Sequence, residues 1–146
     1  MPGVNLWSAP VRYAECDQQG VVFNGHYLTY ADEGATALLA ALGTPYAALV
    51  ARGLETVVVA SELTWTAPAR WGDIVDIQGV VARLGRTSAV FALTIRVGAQ
   101  VCCVVRTTYV LVGADRRPTV LPEDVRAAWA SFSVEGPEAS PAPTPG

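Results

Sequence analysis

The chain contains no lysine, one histidine, one methionine and three cysteines. All ten basic side chains are therefore arginine, set against thirteen acids, for a net charge of −3. That balance excludes general nucleic-acid binding, which needs a basic footprint. Arginine suits phosphate contact, yet its uniform use also follows from a GC-rich genome. The cysteines, Cys16, Cys102 and Cys103, are odd in number and form no C-x-x-C, which argues against a disulfide framework or a zinc site. Cys102 and Cys103 lie in a strand-like run and are expected to face opposite ways. Both read as small buried hydrophobes of a reducing cytoplasm. No apolar run approaches the roughly 18 residues of a membrane span. The opening MPGVNLWSAPVRY lacks a basic region followed by an apolar stretch, so no secretion signal is expected and a cytoplasmic location is.

Apolar side chains are abundant: 51% of residues are hydrophobic and mean hydropathy is +0.32. Such an excess in a chain of this size is explained if apolar surface is also buried between subunits. One domain is expected over residues 1–132, followed by a Pro-rich disordered tail over 133–146.

The pattern predicts a strand over Leu6–Glu15, interrupted by Pro10 and so at an edge or bulged. A loop over Asp17–Gly25 follows. A helix runs from about His26 to Leu42, with Asn24 as its N-cap and Gly43 as its stop. Leu28, Ala31, Ala35, Leu38, Leu39 and Leu42 mark one stripe of that helix, with Gly34, Ala37 and Ala41 opposite. A helix apolar or small nearly all round is expected to be buried on most sides. A short helical turn follows to about Arg52. Four strands come next, at about 56–67, 73–83, 87–97 and 101–112, joined by Gly-containing turns in an antiparallel meander. In the first of them Val57, Val59, Ser61, Leu63 and Trp65 share a side. Pro122, Glu123 and Asp124 open a last short helix. The class is α+β, an antiparallel sheet wrapped around one long central helix.

The segment from Val11 to Gly43 carries the candidate chemistry. Asp17 stands in a Gly-containing loop that leads into the long helix. Such an acid can act as base or nucleophile, and the free amides of the first helical turn can hold an oxyanion. The amides of Asn24 and Gly25 are the candidates for that role. Cys16 is a nucleophile in principle, and with a single histidine a Cys–His pair is a weak alternative.

Three patches occur in order: Asp17-x-x-Gly20-Val21-Val22-Phe23 with Tyr27-Leu28, then Pro68-Ala69-Arg70-Trp71-Gly72-Asp73, then Leu84-Gly85-Arg86-Thr87-Ser88. Together they resemble the hotdog-fold acyl-CoA thioesterases of the 4-hydroxybenzoyl-CoA thioesterase-like branch, over roughly Trp7–Val112. The resemblance implies the hotdog fold and hydrolysis of an acyl-CoA thioester, with Asp17 as the catalytic carboxylate. It departs at His26, where the family commonly has Asn. His26 then either takes a polar role near the thioester or is a first-turn helix residue at an interface. Phe23, His26, Tyr27, Tyr30, Thr56, Val57, Val58 and Trp65 become candidates for the acyl site. Arg86 and Arg117 are candidates for the coenzyme A phosphates. The resemblance implies a homodimer or homotetramer with sites at the subunit boundary. It implies no metal and no cofactor, coenzyme A being part of the substrate, and no membrane or nucleic-acid partner. Alternatives are a thioesterase acting on acyl carrier protein and a non-catalytic acyl-CoA-binding protein. A hydratase is disfavoured, since its Asp and His stand five residues apart, whereas Asp17 and His26 are nine apart. No helix-turn-helix suggests a DNA-binding regulator.

Overall fold

The computed structural model describes residues 4–133. Five strands form one antiparallel sheet: β1 (Asn5–Pro10), β2 (Glu55–Trp65), β3 (Ile74–Leu84), β4 (Ser88–Val97) and β5 (Gln100–Val112). Their order across the sheet is β1-β3-β4-β5-β2, so β1 and β2 are its two edges. Helix α1 (His26–Ala41) packs across one face of the sheet, and α2 (Tyr46–Ala51) and α3 (Glu123–Ala130) close one end. This is the hotdog arrangement.

The alternation read from the sequence positions the core. Val75, Ile77, Gly79 and Val81 of β3 and Ala89, Phe91, Leu93 and Ile95 of β4 are buried. Against them α1 presents Tyr27, Tyr30, Ala31, Gly34, Ala35, Leu38 and Leu39. Gly34 thus lies on the sheet side, not opposite the apolar stripe. Leu28, placed on that stripe, is 45% exposed. A helix so rich in small apolar residues carries no periodic signal strong enough to orient it. Its outer side (Leu28, Thr29, Asp32, Glu33, Thr36) is open in the single chain.

Four further expectations change. The first strand stops at Pro10, and Tyr13–Glu15 instead form a 3-10 turn. Pro lacks the amide that would extend the ladder, and the Glu15 carboxylate caps the Arg12 amide at 2.7 Å. Cys102 and Cys103 do not face apart. Ile95 pairs with Cys103 and Arg96 with Val101, leaving Cys102 as the extra residue of a β-bulge, and both cysteines are buried. In β2 a second bulge at Val59 breaks the expected alternation, and Val57, Val58 and Val59 are all exposed. Ser133, assigned to the tail, bridges to Val81. The rest of that tail lies outside the described residues. Among the described residues no helix is long and apolar enough to cross a membrane.

Candidate active site

The loop after β1 is tied at every turn. The Asp17 amide donates to the Val21 carbonyl at 2.9 Å and the Gly20 amide to the Asp17 carbonyl at 3.0 Å. Gly20 sits at φ +75°, a conformation that glycine adopts without strain. The Gln19 amide donates to Asp17 Oδ1 at 2.7 Å, an Asx-turn that fixes the carboxylate's rotamer. The outer strand of the loop joins the β2–β3 connection: Val22 donates to Ala69 and Trp71 to Gly20. That connection is itself a tight turn, with the Arg70 amide on the Asp73 carboxylate at 2.8 Å. The Asp17 side chain is exposed.

The helix begins immediately afterwards, but not as read from the sequence. Gly25 is the N-cap and no side chain caps it, so Asn24 does not fill that role. The amides of Phe23, His26, Tyr27 and Leu28 donate to backbone carbonyls. Among the described residues those of Asn24 and Gly25 have no acceptor. Unpaired amides at a helix start, with the positive end of the helix dipole behind them, suit an anion. A Cβ on Gly25 would come within 3.1 Å of the Phe23 ring, so glycine keeps this approach open.

Beside these amides runs an open cleft of about 280 Å³ lined by Val21, Val22, Asn24, Tyr27, Trp65, Thr66, Ala67 and Pro68. Three predicted residues, Asn24, Tyr27 and Trp65, meet there. Tyr27 is buried, and its hydroxyl accepts from the Ala69 amide at 3.1 Å. Trp65 is half exposed. Sequence reading missed the walls Thr66–Pro68, although Pro68 belongs to a patch it had singled out. Phe23 and His26 pack edge to face outside this cleft, ring centroids 6.1 Å apart. Tyr30 turns into the core against Trp7 and Tyr27 and lines neither cleft. A second cleft, about 320 Å³, lies between the outer side of α1 and β2–β5. It is lined by Leu28, Thr29, Ala31, Asp32, Val58, Ser61, Thr107 and Tyr109. Burial first, and then the Asp32 charge, push the Tyr109 hydroxyl up to about 12.

The remaining candidates stand at the other end of the sheet. β1 leaves at Pro10, opposite Ile74, and β2 ends at Trp65, opposite Cys103, so the Asp17 loop and Trp65 share one end. Glu55 pairs with Val112 and Leu84 with Ala89 at the far end. Thr56 and Val57 lie there, together with Arg86 in the β3–β4 turn and Arg117 after β5. At about 3.3 Å per residue, the rise from Thr56 to Trp65 is about 30 Å. One chain does not bring these residues to Asp17.

Cys16 is an unpromising nucleophile. Its thiol is raised above its ordinary value by desolvation and by the neighbouring charges of Glu15 and Asp17, and Sγ donates to the Arg12 carbonyl at 3.6 Å. Burial likewise raises Cys103, to about 11.

Residues 19–104 match the thioesterase superfamily. The chain belongs to that family. It is 28% identical to the acyl-CoA thioester hydrolase YbgC of Escherichia coli O157:H7 over 126 residues, 84% of this chain and 93% of that protein. A 63-residue segment is 36% identical to the putative acyl-CoA thioesterase YneP of Bacillus subtilis, covering 43% of this chain but only 46% of that protein. Among solved structures, a hypothetical protein of Thermus thermophilus superposes with a TM-score of 0.82 at 29% identity, over 88% of this chain and 99% of that one. Family membership makes this chain a thioester hydrolase.

Proposed function

We propose that the protein hydrolyses acyl-CoA thioesters in the cleft between the Asp17 turn and the start of α1. The observation that carries this reading is a rotamer-fixed, exposed carboxylate in the loop that runs directly into a helix start with two acceptor-free amides. The relatives' acyl-CoA activities point the same way. Asp17 activates water as a base, or attacks the carbonyl to give a mixed anhydride that water then cleaves. The Asn24 and Gly25 amides hold the oxyanion, and the thiolate leaves without a dedicated acid. Tyr27 and Trp65 flank the acyl group, with Phe23 and His26 at the rim.

The site is completed by a second copy. β2 is an edge strand whose Val57, Val58 and Val59 are exposed, a surface that invites pairing. Antiparallel pairing of two such edges about Ala60 sets the Thr56–Val58 end of one strand beside the Trp65 end of the other. It buries the apolar edge and brings Thr56, Val57 and Val58 to the other copy's cleft. Arg86 and Arg117 then supply the coenzyme A phosphate contacts across the boundary. The assembly is a homodimer, able to pair again as a homotetramer.

The test is thiol release from a panel of short, medium, branched, phenylacetyl and hydroxybenzoyl-CoA substrates. Turnover of at least one is expected. Binding without turnover favours a sensor, and turnover only of carrier-protein thioesters favours that partner.

A further inference from the structure

Among the described residues, Glu15 is one of three buried polar side chains outside the apolar core, at 6% exposure. It stands two residues before Asp17 and holds both sides of the loop. Its Oε1 accepts from the Arg12 amide at 2.7 Å, where the chain leaves β1. Its backbone carbonyl accepts from the Phe23 amide at 2.9 Å, where the chain turns into α1. Between these ties, Cys16 bridges Val22. The Arg12 guanidinium reaches Oε2 only at 3.4 Å and is largely exposed, so the amide contact is the firmer one. Beneath lies Tyr30 of α1, buried, its hydroxyl without a hydrogen-bond partner. Burial and the Glu15 charge raise that hydroxyl well above its ordinary value.

We propose that Glu15 is a positioning residue for hydrolysis: by spanning from the loop to the Arg12 amide it fixes Asp17 relative to the amides at the start of α1. This rests on the assignment of Asp17 and the α1 amides to catalysis. A small displacement of a reacting group is enough to cost about 100-fold in rate. Reach matters here rather than charge. Asp at this position keeps the charge but falls one methylene short of the Arg12 amide. Gln keeps the length and one carbonyl acceptor.

The experiment compares Glu15→Asp, Glu15→Gln and Asp17→Asn with wild type, using the best acyl-CoA of the panel well below each variant's thermal midpoint. Glu15→Asp is expected to lose about tenfold or more in kcat with KM within about twofold, and Glu15→Gln to stay within about threefold of wild type. A folded Glu15→Asp with wild-type kcat overturns the proposal, since a purely structural role moves the midpoint and not turnover. Equal losses in both Glu15 variants also overturn it, because charge would then matter rather than reach. If Glu15→Asp does not fold, Glu15→Gln decides: retained kcat supports the proposal and a tenfold loss contradicts it. Wild-type turnover by Asp17→Asn overturns the site assignment itself, whereas an inactive Asp17→Asn beside a fully active Glu15→Asp overturns only the role of Glu15.

Discussion

Gly34 of the central helix lies flat against Ile77 of β3: a Cβ on Gly34 would come within 2.6 Å of Ile77 Cγ2, and within 3.0 Å of Leu93 Cδ1. Ile77 and Leu93 are both fully buried and have nowhere to retreat. Helix propensity favours alanine by about 1 kcal/mol, but overpacking of a filled core costs about 1–3 kcal/mol. Gly34→Ala is therefore expected to lower the thermal midpoint in a melt, the steric cost outweighing the propensity gain. A midpoint at or above that of wild type would show that the helix can lift off the sheet cheaply.

The acid limb of stability is expected to depend on Glu15. Burial pushes its carboxyl up, but the amide and guanidinium of Arg12 more than offset this and hold it below the ordinary 4.5. An acid depressed on folding contributes stability that is complete above its ordinary value and is lost as pH falls through its folded-state value. Thermal midpoints recorded from pH 6 downward should fall below about pH 4.5 in wild type and less steeply in Glu15→Gln. Parallel curves would remove Glu15 from the account of acid stability.

Cys16→Ser is expected to keep kcat within about threefold of wild type, because the thiol is raised by desolvation and nearby acids, the opposite of an activated nucleophile. A loss on the scale of removing a nucleophile would reassign the attacking group.

The β2 edge is expected to hold two copies together. Val58→Lys places a charge in the exposed Val57–Val59 stretch of that edge, a substitution that blocks edge pairing. Sedimentation should show wild type as a dimer or larger and the variant shifted toward monomer, with turnover lost in step. A monomeric wild type with full turnover would place the whole site in one chain.

Much of the fold was legible because β3 and β4 alternate cleanly and Gly43 ends α1 with a positive φ. The orientation of α1 was not, since Gly34, Ala35 and Ala37 give no contrast between faces. Cys102 was misdirected because a one-residue bulge inverts the side chain order and leaves no mark in composition. Of the residues singled out by type and motif, Asn24, Tyr27 and Trp65 line the cleft, and Asp17 stands in the loop ahead of α1. Glu15 was read as part of a strand, and its capping of the Arg12 amide, two positions after β1 ends at Pro10, became visible only in three dimensions. The distance of Thr56, Arg86 and Arg117 from Asp17 follows from strand order, which pattern alone does not fix.

The most direct measurement is the kcat of Asp17→Asn for a hydrolysed acyl-CoA, with ligand affinity measured alongside using a non-hydrolysable thioether analogue. Asn keeps the Asx-turn acceptor to Gln19 but cannot deprotonate water or form an anhydride. The account predicts a fall in kcat of about 100-fold or more with analogue affinity within a fewfold of wild type, the scale of a lost base or nucleophile. Unchanged kcat in a folded Asp17→Asn would contradict it.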